Sequence, residues 1–221
     1  MKIETIDGIK VRKRNWGYRF FKRFFDIIIS GFLILAFSWL LLILYILSMI
    51  TSRGAGVFKD TRMGRHFQRF HVYKFRTMYR DAETNPDKYL SRKQKKEWRL
   101  ERKLDYDPRV TPFGRFLRKA SLDELPQLFN VLMGTMSFVG PRPITEEELK
   151  HFFTVPEQKV LLSVRPGLIS LWGVKGRSQV DFSSGQRQKL EIEYFEHRGF
   201  RYDVGLIFRA VPAVLSGKGA K

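Results

Sequence analysis

The chain has 221 residues, 43% hydrophobic and 14% aromatic, which suits one or two packed domains and excludes a disordered chain. Its 41 Lys+Arg against 22 Asp+Glu give a formal charge of +19 and call for an anionic partner: nucleic acid, an anionic membrane surface or phosphorylated substrates. Cysteine is absent and His66, His71, His151 and His197 show no ligand spacing, which argues against disulfides, a thiolate nucleophile and a protein-held transition metal.

In chain order, residues 1–26 form a basic, aromatic lead-in ("NWGYRFFKRFFD") suited to a lipid headgroup region. Ile27 to Ile50 follow, 24 residues without a charge. As a helix they would run about 36 Å, enough to cross a hydrocarbon core. The run is too long for a signal-peptide core and no A-x-A site follows it, so a retained membrane segment is expected. Lys and Arg crowd both flanks, and the positive-inside rule would keep both ends on the cytoplasmic face. The segment therefore either spans against that rule or enters and turns back. Ser30, Gly31 and Ser38 are the candidate break points, since the run holds no proline.

Beyond residue 52 a second unit is expected, residues 53–221, hung on the membrane element of residues 1–52. "VFKDTRMGRHFQRFHVYKFRTM" reads as a two-stranded hairpin interrupted near Gly64. The charged stretch from Asp81 to Lys103 reads as an exposed helix or loop. From Thr111 to Met133 the apolar spacing is helical, and Pro112 and Pro126 divide it into two short helices. "SFVGPRPIT" is extended, a helix is predicted from Thr145 to Phe153, and "SVRPGLISLWGVKGR" reads as loop and short strand. Two further helices close the chain, in "SGQRQKLEIEYFEHR" and "DVGLIFRAVPAVLSGKG". The class is mixed α/β, mostly helical, with amphipathic interfacial helices and a short β-hairpin.

The acids Asp123 and Glu124 in "SLDELPQ" support two readings. Ser121 and Glu124 fit the S-x-x-E pattern of a capping box, with Asp123 in the first turn. Against this, Pro126 would fall where its missing N–H is needed. The second reading is chemical, with one acid as nucleophile or metal ligand and the other as orienter or base. Arg142 stands between Pro141 and Pro143, which fix its backbone and present a fork suited to phosphate. Arg165, Arg177, Lys74 and Arg76 add cations beside Gly-rich or β-rich segments. Two acids can hold Mg²⁺, which prefers carboxylate and phosphate oxygens, while arginines clamp a diphosphate. Neither common nucleotide cradle, Walker A or G-x-G-x-x-G, occurs.

"KRFFD" before an apolar segment, "YKFRTM", "SLDELPQLFNVLMGTMSFVGPRP" and "VRPGLISLWGVKGR", in this order, resemble the bacterial sugar transferases. These are monotopic polyprenyl-phosphate phosphoglycosyl transferases that prime surface-glycan synthesis. The resemblance runs from about Lys22 to the C-terminus. It implies transfer of a sugar 1-phosphate from a UDP-sugar to polyprenyl (undecaprenyl) phosphate, with release of UMP. On this resemblance Asp123 is the nucleophile and metal contact, Glu124 its dyad partner, and Mg²⁺ the cofactor. Arg142, with Pro141 and Pro143, and Arg177 would bind phosphate, and Arg118, Lys74 and Asp203 match further positions of the family's site. It also implies the cytoplasmic membrane, with the catalytic domain facing the cytoplasm, and leaves a homo-oligomer open.

This sequence carries Ser38-Trp39 where the family has Ser-Pro. Gly173 and Lys175 replace Gln and Asn, Thr135 replaces an acid, and His66-Phe67 replaces a turn of Asn-Gly character. A competing reading is a membrane-anchored basic scaffold or lipid-binding protein without catalysis, in which Asp123 would be dispensable. Nucleic-acid binding finds no recognition motif.

Overall fold

The structure is a computed structural model that describes residues 3–82, 84–101, 104, 106–175 and 185–215. Mostly helical, it opens with a hairpin that the lead-in did not suggest. Strands β1 (Ile3–Ile6) and β2 (Ile9–Arg12) pair antiparallel around Asp7-Gly8. Both turn residues have positive φ, 47° and 88°, as a two-residue hairpin turn of matching twist requires. Val11 is fully buried in the main core, so this end of the chain packs on protein.

Helix α1 (Trp16–Ala36) starts at Asn15, whose side chain accepts the Tyr18 N–H at 2.9 Å. Helix α2 (Ser38–Ser52) follows after a break at Phe37, and the two axes are bent by 69°. The Ser38 hydroxyl donates to the Leu35 carbonyl at 2.9 Å, competing for a backbone acceptor at the bend. The expected 24-residue segment is thus divided between two helices. Among the described residues no single helix is long and apolar enough to cross a membrane, but the bent pair together has that length and composition.

Each helix of the pair has two unlike faces. Phe20, Phe24, Ile28, Phe32 and Leu35 of α1, and Trp39, Leu42, Ile46 and Ile50 of α2, are exposed. The opposite side of α1 is a polar seam fixed to the rest of the protein. Tyr18 and Lys22 both donate to Asp203, at 2.7 and 2.5 Å. Arg23 donates to the carbonyls of Val131 and Leu132, each at 2.7 Å. Asp26 accepts the Phe138 N–H at 3.0 Å and the Ser137 hydroxyl at 3.2 Å. Tyr18, Lys22 and Asp26 recur every four residues with Arg23 beside Lys22, the pattern of one helix face.

The expected hairpin is β3 (Val57–Met63) with β4 (Arg69–Phe75), joined through a 3₁₀ turn at Arg65–Phe67. The charged stretch carries α3 (Pro86–Tyr89) and α4 (Arg92–Glu101). As the two prolines predicted, the next segment divides into α5 (Pro112–Lys119) and α6 (Gln127–Met133), with one 3₁₀ turn at Leu122–Glu124 between them. Strand β5 (Ser137–Val139) precedes α7 (Glu146–Phe152) and α8 (Val155–Leu161). Strand β6 (Gly167–Ile169) pairs parallel to β5 and leads into α9 (Leu171–Lys175), a helix where only loop and strand were expected. Helices α10 (Gln186–His197) and α11 (Phe200–Leu215) complete the described chain, as predicted.

Two apolar clusters hold these elements. The larger gathers Val72, Val131, Met136, Val139, Ile144, Leu171, Phe195 and Leu206 from β4, β5 and the surrounding helices and loops, together with Val11 of β2. The smaller joins α2 to β4 and α5 through Leu41, Leu44, Phe75 and Leu117, with Leu122 and Leu125 packed against it. The two leucines that bracket Asp123 and Glu124 are therefore seated on the end of the α2 cluster.

Candidate active site

The 3₁₀ turn removes the capping reading of the acids. Ser121 lies in the left-handed region at φ 56° and caps nothing with its side chain, so the S-x-x-E box does not form there. The chain turns once at Leu122–Glu124 and restarts at Pro126, which precedes α6 as its N-cap and so disrupts no helical bond. A true capping box exists elsewhere: Thr145 accepts the Glu148 N–H at 3.0 Å, and Glu148 accepts the Thr145 N–H at 2.8 Å.

Released from capping, the acid pair lies at a cationic cleft of about 240 Å³ that Glu124 lines. Glu124 accepts from the Arg142 guanidinium at 2.9 Å. Lys74, Arg62 and Arg187 line the cleft as well, with Glu148 and Trp172. Asp123 stands beside this wall. Burial, and then the like charge of Glu124, push its carboxyl up to about 6, while Lys74 and Arg118 pull the other way. A carboxylate so placed is ionised at neutral pH yet poorly solvated, which favours reaction with an electrophile.

Arg142 is held from three sides. Its backbone N–H donates to Glu191 at 3.1 Å, its guanidinium pairs with Glu124, and the Trp172 ring lies 5.5 Å from its charge. Glu124 holds the guanidinium firmly protonated. Glu191 is buried, and that burial pushes its carboxyl up to about 7. Arg187 covers the same indole at 4.5 Å, and burial lowers its guanidinium to about 10. Behind Arg142 the backbones of Gly140 and Gly167 nearly touch. A Cβ on Gly167 would sit 2.1 Å from the Gly140 nitrogen, so the parallel pairing of β5 and β6 requires glycine here. The Gly167 N–H donates to the Pro141 carbonyl at 2.8 Å, which fixes the Pro-Arg-Pro segment.

The structure thus brings Glu124, Lys74, Arg142 and Pro143 to one cleft, with Asp123 next to Glu124 in the chain and electrostatically coupled to Glu124 and Lys74. Arg118 lies behind it, close enough to couple with Asp123, and donates to the Thr77 hydroxyl at 3.1 Å. Pro141 is buried and supports Arg142 from its backbone. Asp203 is engaged elsewhere, by Tyr18, Lys22 and the Tyr194 hydroxyl at 3.1 Å. Among the described residues no hydrogen bond or ion pair joins it to the acid pair. Arg177 lies outside the described residues.

Sequence reasoning missed Arg62, Glu148, Trp172, Arg187 and Glu191. Trp172 stands within "VRPGLISLWGVKGR", whereas Arg187 and Glu191 sit in a predicted helix whose sequence gives no sign of which residues turn inward. Lys74 and Arg62 share Asp60, at 3.1 and 2.7 Å, so part of the cationic wall is already compensated.

Among the described residues no three His, Cys, Asp or Glu side chains gather into a metal site. The donor set nevertheless fits a hard cation brought with a phosphorylated substrate. Asp123 supplies an ionisable oxygen beside a second carboxylate, and Mg²⁺ is commonly held by one or two carboxylates plus phosphate oxygens.

Residues 17–217 match the family model described as bacterial sugar transferase. The chain is 37% identical over 207 residues to the exopolysaccharide production protein ExoY of Rhizobium meliloti, covering 90% of this chain and 87% of that protein. It is 38% identical over 204 residues to the undecaprenyl-phosphate galactose phosphotransferase of Salmonella typhimurium, covering 91% of this chain and 42% of that protein. A 35% identity over 203 residues relates it to the UDP-glucose:undecaprenyl-phosphate glucose-1-phosphate transferase of Caulobacter vibrioides, 90% of this chain and 71% of that one. The chain therefore spans most of ExoY but less than half of the Salmonella protein.

Proposed function

The chain belongs to the bacterial sugar transferase family, and from that premise we propose that it is a phosphoglycosyl transferase priming polysaccharide synthesis. Its donor is a UDP-sugar and its acceptor undecaprenyl phosphate, the substrates in the names of its relatives. The observation that carries the reading is the acid pair itself: Glu124 clamped by Arg142 in a cationic cleft, with Asp123 beside it, desolvated and raised to about 6.

In this reading a carboxylate oxygen of Asp123 attacks the phosphorus that bears the sugar. The bond from that phosphorus to the oxygen bridging to UMP breaks, and UMP leaves with the electron pair. The aspartyl-phosphosugar then accepts attack by a phosphate oxygen of the polyprenyl phosphate. Asp123 departs as a carboxylate and the product is a polyprenyl-diphosphate sugar. Splitting one transfer into two in this way is the logic of a covalent nucleophile. Glu124 orients Arg142, and Arg142 with Lys74 offsets the charge that builds on phosphate oxygens. Mg²⁺ bound by Asp123 and substrate phosphates would neutralise the diphosphate.

The helix pair α1 and α2 is the membrane element of this reading, entering and leaving on the cytoplasmic face with the catalytic domain in the cytoplasm. Its exposed apolar faces, its 69° bend and the Lys and Arg at both ends support that placement.

The test is incubation of the detergent-extracted protein with radiolabelled UDP-sugars and Mg²⁺, without acceptor. Label retained on the denatured wild type and absent from Asp123→Asn is the expected result. Label retained by both would remove Asp123 as the nucleophile. UMP release from neither protein across a broad panel, with acceptor added, would overturn the activity.

A further inference from the structure

A second cleft, of about 460 Å³, opens where α2 ends and shares no lining residue with the first. We propose that it binds the phosphate headgroup of an anionic membrane phospholipid, a bystander lipid separate from the acceptor. The inference rests on the membrane placement of α1 and α2.

Position comes first. The exposed apolar face of α2 runs to Met49 and Ile50, and the cleft begins two residues later with Ser52 and Arg53. On the membrane reading that is the level of lipid phosphates, where Arg and Tyr settle.

Charge comes second. Asp81 is already neutralised, accepting from Lys88 at 2.7 Å and from the Tyr89 hydroxyl at 2.5 Å. Arg53 and Arg80 are both exposed, and neither side chain has an ion-pair partner among the described residues. Two guanidiniums at one mouth suit a phosphate ester.

The cleft is also built. Ser52 lines the cleft, and its hydroxyl is buried without a hydrogen-bond partner among the described residues, which leaves one unpaired donor beside the ligand. The backbone holds the two arginines together: the Arg80 N–H donates to the Ser52 carbonyl at 3.0 Å, and Arg53 is in the left-handed region at φ 56°. A Cβ on Gly54 would come within 3.0 Å of the Arg80 Cβ, so glycine lets that stem lie close. Tyr79 and Tyr89 stack at 5.5 Å and 11°, forming a flat wall with hydroxyl ends, suited to a glycerol and the start of an acyl chain. The volume exceeds what a bare phosphate needs and falls in the range of small-ligand sites.

The experiment is a titration of the full-length, detergent-solubilised chain, followed by native mass spectrometry. The probes are dihexanoyl-phosphatidylglycerol, dihexanoyl-phosphatidylcholine and inorganic phosphate. The wild type is expected to bind phosphatidylglycerol at least tenfold more tightly than phosphatidylcholine. Arg53→Gln with Arg80→Gln should lose that preference, and Ser52→Ala alone should weaken it severalfold, while each variant keeps UMP release in detergent. Equal phosphatidylglycerol binding by wild type and double variant would overturn the proposal, as would no preference over phosphatidylcholine. Displacement of the lipid by equimolar inorganic phosphate would make this a free-anion site and overturn the lipid assignment. Flotation with phosphatidylcholine vesicles separately tests the membrane placement. A wild type that fails to float refutes that reading, whereas one that floats without a phosphatidylglycerol preference refutes only the headgroup site.

Discussion

Asp123→Asn is expected to make the protein more stable and inactive at once. The carboxyl of Asp123 moves from 3.8 to about 6 on folding, chiefly because it is buried. At about 1.4 kcal/mol per pH unit, the folded state disfavours the ionised form by up to about 3 kcal/mol. Because the folded value is raised, the native state binds the extra proton between pH 4 and 6, and stability falls as pH rises through that window. Above it the full cost is present; below pH 3.8 it vanishes. Asparagine has the same shape without the charge, so the gain should appear at pH 8 and be small at pH 4. For a chain of this size up to about 3 kcal/mol corresponds to a rise in midpoint of up to about 10 °C. Thermal unfolding in detergent, followed by circular dichroism at both pH values, reads the difference. UMP release should meanwhile fall at least ~10³-fold, as for other lost nucleophiles. A variant less stable than wild type at pH 8, or equally stabilised at both pH values, would refute the desolvation argument.

Transfer should depend on pH with the opposite sign, since the nucleophile must be ionised: kcat/KM should rise through about pH 6 and level above it, and a flat profile from pH 5 to 8 would contradict this. Arg142→Ala should cost about 2–3 kcal/mol of stability, because Glu124 loses its charged partner, and lower turnover ~10²-fold; Arg142→Lys should recover part of the stability but little of the rate. Denaturant midpoints and initial rates check both. Arg23→Ala should cost about 1–3 kcal/mol by leaving the Leu132 carbonyl at the end of α6 without its guanidinium donor, while the Val131 carbonyl keeps the Gly134 N–H, with no change in the pH profile of any remaining activity.

What was legible in the sequence was local. The β3–β4 hairpin followed from its β-rich residues around Gly64, and the two helices around the acids from Pro112 and Pro126. The bend at Ser38 was among the candidate breaks, since a serine can compete for a nearby carbonyl without help from proline. The capping pattern shows how little separates a correct match from a false one. Ser121-x-x-Glu124 and Thr145-x-x-Glu148 fit equally well, and only the second becomes a box. Pro126 makes the difference, because it can stand before a helix but not five residues inside one.

What was illegible was long-range. The β5–β6 pairing involves three-residue strands separated by α7 and α8, with no periodicity to announce it. The Asp7-Gly8 turn carried a hairpin signal, but the basic lead-in around it pointed towards lipid. Within the site, the acid pair and Arg142 were legible from their neighbours. Glu191 was not, because a glutamate amid the charges of α10 gives no sign that its helix turns it inward. Asp203 was expected at the site through resemblance; its partners come from α1 and α10, at separations that spacing cannot reveal.

The polar seam of α1 bears on how lipid and protein meet. Tyr18, Lys22, Arg23 and Asp26 make directional bonds to three separate parts of the chain, so α1 cannot roll about its axis without breaking several of them together. One inserted residue would turn everything beyond it by about 100°. The apolar face and the acid pair are thus rigidly indexed to each other, like a depth stop on a drill. On the membrane reading, the plane at which Asp123 works is set when the protein folds and does not follow the thickness of the bilayer. If the proposed transfer is right, a lipid phosphate must be drawn to that plane to react.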